Sequence, residues 1–81
     1  MARPYKNSSQ HSELLNFGKA VRSIRLDKGM SQEKLAEIAG IDRSYMGGVE
    51  RGEHNVALIN MKRISNALDV SIAYIMKKSK L

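Results

Sequence analysis

Between Glu13 and Lys28 the apolar residues Leu14, Phe17, Val21 and Ile24 recur at spacings of three, four and three among charged neighbours, the period of one helix face. Gly29 follows as a C-terminal stop, because glycine enters the left-handed conformation without strain. Ser31 then opens a second helix as its N-cap, with Gln32 and Glu33 in the first turn. Its inner face is Leu35, Ala36 and Ala39, and Gly40 stops it. Asp42 caps a third helix, Arg43 to Arg51, whose apolar pair is Met46 and Val49 and whose stop is Gly52. After the loop "EHNVA", a fourth helix from about Leu58 to Leu68 carries Met61, Ile64 and Leu68 on one face, with Asp69 at the stop position. Ser71 caps a last helix, Ile72 to about Lys78. Valine and isoleucine fall at helical spacing rather than in alternation, so the pattern predicts an all-α fold of five short helices and no strand.

The second and third helices are two to three turns each and the connection "AGID" is tight. Two short helices joined by a glycine-containing turn form a helix-turn-helix. In that motif the second member places its N-terminal residues in the major groove while the first crosses the phosphate backbone. Arg43, first after the cap, is placed to meet guanine O6 and N7 with two parallel bonds. Ser44 reaches a neighbouring base edge, and Tyr45 bonds a phosphate or lays its ring on a thymine methyl. Gln32 sits where the positive end of the second helix already favours a phosphate. Each has a plainer reading: Arg43 and Arg51 solvated, Tyr45 covering part of the core, Gln32 assisting the Ser31 cap. Their shared placement at one edge of one motif favours recognition. Gly47 and Gly48 lie side by side in the third helix, each at a cost of about 1 kcal/mol against alanine. They read as clearance, either for DNA or for helix packing, and the sequence does not choose between the two.

Charge strengthens this picture. Fourteen Lys and Arg against eight Asp and Glu give a formal net charge of +6 over 81 residues, a small basic body suited to an anionic partner. No apolar run approaches a membrane span and no signal-peptide core is visible, so a cytoplasmic, membrane-independent protein is expected. There is no cysteine, which removes disulfides and thiolate metal sites. His11 and His54 are isolated, and "GGVERG" lacks the Lys-Ser/Thr of a phosphate-binding loop. No enzyme, metal, cofactor or small-molecule substrate is therefore expected. Residues 1–11, with Pro4 and "NSSQ", read as a flexible arm bearing Arg3 and Lys6, and 12–81 as one DNA-binding and dimerisation domain.

The stretch "KGMSQEKLAEIAGIDRSYMGGVERGEHNVAL" resembles the phage-repressor-like (XRE) helix-turn-helix family: a glycine, an apolar residue, Ser or Thr, Gln, then "LA", and later "ERG" closing the recognition helix. "DRSYMGGVERG" followed by "HN" is most similar to the controller proteins of restriction–modification systems. The resemblance, over residues 14 to about 78, implies a five-helix lambda-repressor-like domain forming a symmetric dimer on a pseudo-palindromic operator. It implies further that Gln32 anchors the second helix on a phosphate and that Arg43 and Ser44 reach base edges. Gly48 matches a further base-reading position in some phage repressors, so that contact is absent here. The resemblance makes Arg25 and Glu50 an ion pair tying the first helix to the recognition helix. Controller proteins often carry an arginine after that helix. His54 holds the position here and, with Arg51 and Asn55, is a candidate for the phosphates. Such controllers typically bind near their own promoter and that of the endonuclease, activating at low occupancy and repressing at high, which makes RNA polymerase a further candidate partner.

A dimer also follows from size. One reading head this small touches few base pairs, and two half-sites lie about 34 Å apart. Leu58, Ile59, Tyr74, Ile75 and Met76, together with Ile72, are more than a small core obviously needs; they are candidates for the interface or else close the core, and the sequence does not partition them. The competing readings are a prophage-type repressor and an antitoxin-like regulator, the latter disfavoured because only "KKSKL" is left over to wrap a partner.

Overall fold

The computed structural model describes residues 11–81, so the expected arm lies outside the described residues except for His11. Five helices follow in chain order: α1 Ser12–Asp27, α2 Gln32–Ala39, α3 Arg43–Glu50, α4 Leu58–Leu68 and α5 Ile72–Ser79. There is no strand among the described residues. Each boundary lies within about one residue of the sequence expectation, because the signals there are local. Ser31 Oγ accepts from Lys34 N at 3.0 Å, Asp42 Oδ2 from Ser44 N and Tyr45 N at 2.9 and 3.3 Å, and Ser71 Oγ from Tyr74 N at 2.9 Å. These bonds satisfy backbone donors that have no partner inside a helix. Asp69 does close α4 in the left-handed conformation, at φ 59°.

The core is built from one face of each helix: Phe17, Val21 and Ile24 of α1, Leu35 and Ala36 of α2, Met46 and Val49 of α3, Ile64 and Leu68 of α4, and Ile75 of α5. Helix α1 packs on α3 and α5, α2 on α3 and α4, and α4 on α5. The recognition helix is therefore held from two sides. Ile75, an expected interface residue, is fully buried. It shares the inner face of α5 with Ser79, one turn on, and is a core residue unavailable to a second chain. No described helix is long and apolar enough to cross a membrane.

Gly18 carries no signal in the sequence pattern, yet it sets a close approach. A Cβ built there would meet the carbonyl oxygens of Val49 and Glu50, the latter at 2.6 Å, so α1 and α3 approach backbone to backbone at this point. Carbonyls of a packed helix cannot swing away as a side chain does. Gly18→Ala is expected to cost about 1–3 kcal/mol in overpacking, against a gain of about 1 kcal/mol in helix propensity. The check is urea unfolding; a variant more stable than the parent would show that the helices part without cost.

Candidate nucleic-acid interface

Helix α3 buries Met46, Gly47, Gly48, Val49 and Glu50 and leaves its N-terminal turn outside. Arg43 and Ser44 are exposed, and neither side chain has a hydrogen-bond or ion-pair partner among the described residues. The Asp42 cap fixes the helix start directly beneath them. Tyr45 is half-buried and packs partly against the core, as the plainer of its sequence readings has it, and the rest of its ring is uncovered.

At the other end of α3 lies a closed polar network centred on Glu50. Arg25 Nε donates to Glu50 Oε2 at 2.7 Å and Arg25 Nη2 to Glu50 Oε1 at 3.0 Å, a two-bond fork between α1 and α3. The remaining guanidinium nitrogen, Nη1, donates to Met30 O at 2.8 Å, clamping the turn into α2. Gln32 Nε2 donates to Glu50 Oε1 at 3.0 Å. The Arg25 and Glu50 side chains are 9% and 3% exposed. A buried charge is tolerable only when paired and fully bonded, and here one carboxylate ties α1, α2 and α3 together. Gln32 is thus also a structural residue, because its amide links the start of α2 to the end of α3.

The glycine pair gives clearance within the chain, Gly47 partly to the preceding helix, as the packing reading has it, and Gly48 to the loop that follows. A Cβ on Gly47 would meet Arg51 Nη1 at 3.0 Å and Gln32 Oε1 at 3.2 Å, and one on Gly48 would strike the imidazole of His54. Side chains from α2 and from the loop after α3 occupy the space that bare backbone leaves. His54 and Tyr45 stack, with ring centroids 4.6 Å apart and planes 17° apart. His54, expected on a phosphate, therefore lies on α3 with its ring against Tyr45. Arg51 is exposed and forked to Glu53 at 2.8 and 3.2 Å. That hydrogen bond lowers the Glu53 carboxyl below its usual range and raises Arg51. Such an exposed pair is weak and screened by salt, so a phosphate can compete for the guanidinium. Asn55 is exposed at the rim of an apolar groove lined by Leu14, Phe17, Met61 and Met76.

Comparison with known proteins places this geometry. The helix-turn-helix family model matches residues 21–75. Control protein C.BamHI of Bacillus amyloliquefaciens is 53% identical over 57 residues, which cover 69% of this chain and 70% of that protein. Control protein C.SmaI of Serratia marcescens is 43% identical over 61 residues, covering 75% and 73%. The crystal structure of the restriction-modification controller protein C.AhdI from Aeromonas hydrophila superposes with a TM-score of 0.79 at 46% identity, covering 80% of this chain and 98% of that one. The fold and the sequence matches agree, and the chain belongs to the XRE-type helix-turn-helix family of DNA-binding transcriptional regulators, together with the restriction–modification control proteins.

Proposed function

We propose that the protein is the controller of a restriction–modification system, binding as a homodimer to a pseudo-palindromic operator beside its own promoter. The observation that carries this reading is the exposed pair Arg43 and Ser44, without partners among the described residues, at the capped N-terminus of α3, with Met46 to Glu50 of that helix buried. In this arrangement Arg43, Ser44 and Tyr45 face base edges. Gln32, Arg51 and Asn55 flank them toward the phosphates. Affinity comes mostly from the phosphates and selectivity from the bases. The protein acts in the cytoplasm by occupancy, with no catalytic step, and a promoter-side operator sets it beside RNA polymerase.

Leu58, Ile59 and Tyr74 are 68%, 63% and 48% exposed, large apolar side chains on the last two helices that a second copy would cover. Met76 is half-buried beside them in sequence and contributes at most its edge. Ile59→Glu is expected to give a monomer by sedimentation and to weaken operator binding at least about tenfold, since the second reading head is lost. A variant that stays dimeric would place the interface elsewhere. Selection from a randomised duplex library tests the reading as a whole. It should return an inverted repeat with half-sites about 34 Å apart; a single asymmetric site would contradict the dimer.

A further inference from the structure

The Tyr45–His54 stack is a built feature. Gly52 sits at φ +77°, where side chains are strained, and a Cβ there would lie 2.8 Å from Leu15 Cα. The loop after α3 is therefore pinned against α1 as it reverses. Glu53 N then donates to Gly48 O at 2.9 Å, and the Arg51–Glu53 fork holds the outer side of the turn. Residue 54 is thereby carried back over α3, and only a glycine at 48 leaves room for its ring. The ring comes to rest 4.6 Å from that of Tyr45, nearly parallel to it.

We propose that His54 is a positioning residue for base recognition: it holds the Tyr45 ring in one orientation on α3, so that Tyr45 meets its base edge already ordered. The inference rests on the reading of Tyr45 as a base contact. A half-buried tyrosine keeps some rotamer freedom where the core leaves its ring uncovered and loses it on binding. A stacked neighbour removes that loss before DNA arrives. Gly48 is the seat that makes the stack possible, which gives its unfavourable place in a helix a recognition role.

The test uses the full chain and the operator recovered by library selection, with every single-base variant of one half-site. Tyr45→Ala identifies the base pair that Tyr45 reads. His54→Ala should lower discrimination at that same base pair by about three- to tenfold, the scale of one aromatic pair, and leave the Arg43 base pair untouched. His54→Phe should restore it, because the stack returns without the imidazole nitrogens. Gly48→Ala keeps both rings but denies His54 its seat. It should reproduce the His54→Ala loss while thermal stability holds or rises, a combination that a merely structural role for His54 would not give. Equal loss at every base pair in His54→Ala would assign His54 to a phosphate and overturn the proposal. So would a His54→Phe variant as poor as His54→Ala, since the imidazole would then act by its own polar contact. If Tyr45→Ala changes no base preference, the reading of Tyr45 fails and this proposal with it. If Tyr45→Ala relaxes one base pair and His54→Ala relaxes none, the positioning role alone fails.

Discussion

Glu50→Ala is expected to lower the free energy of unfolding by about 3–5 kcal/mol, the cost of leaving a buried charge without its partner. The carboxylate accepts two bonds from Arg25 and one from Gln32, and its loss strands a guanidinium that is 9% exposed. Small domains hold only about 5–15 kcal/mol in total, so the loss corresponds to a fall in Tm of at least about 12 °C for a chain of this size. Urea unfolding at neutral pH is the direct check. The double substitution Arg25→Met with Glu50→Leu should recover much of the loss, because a packed apolar pair replaces a buried ion pair at little cost. A Glu50→Ala variant within about 1 kcal/mol of the parent would mean that the carboxylate does not hold the three helices, since that is the loss expected of a single ordinary hydrogen bond.

Arg43→Ala acts at the other end of the same helix and should leave stability nearly unchanged, because the side chain is exposed and without a partner among the described residues. On the selected operator it should cost about 1–3 kcal/mol of binding, the worth of a bidentate arginine–guanine contact. Against random duplex the loss should be far smaller, that of one positive charge. Repeating the library selection should show one base pair per half-site becoming degenerate. Arg43→Lys should restore only part of the preference, because an ammonium lacks the planar fork. An operator unchanged in affinity and sequence would remove Arg43 from base readout.

The features legible in the sequence are those decided within a few residues. The caps at Ser31, Asp42 and Ser71 and the stops at Gly29, Gly40 and Gly52 are local geometry, and each sits where its residue type predicts. The Arg25–Glu50 pair spans 25 positions and is visible only through family resemblance, since spacing alone says nothing about which charges meet. Gly18 gives no local warning at all: a glycine inside a helix shows what it touches only once α3 is laid against it. Ile75 is expected at the interface when the apolar residues of the last two helices are considered together. The three-then-four spacing of Ile72, Ile75 and Ser79 marks an inner face instead. The glycine pair reads correctly as clearance, with Gln32 of the preceding helix beside Gly47, but the ring over Gly48 comes from the loop six residues on, and no helical pattern places a loop side chain. Gln32, Arg51 and His54, the phosphate candidates, all have partners within the chain, which their places in the sequence do not show.

Sequence-specific binding to its own regulatory DNA is the central claim, and one measurement reaches it most directly. The protein is titrated against a duplex from upstream of its own gene and against a random duplex of equal length, each at two salt concentrations. Both affinities should fall with salt, by about 0.9 log units per phosphate contact for each log unit of salt. The preference for the upstream duplex should stay at about 10³ or more, with occupancy rising in a second step as another dimer binds. Equal affinity for the two duplexes at both salt concentrations would contradict the claim and favour a prophage-type or antitoxin-like regulator with its target elsewhere.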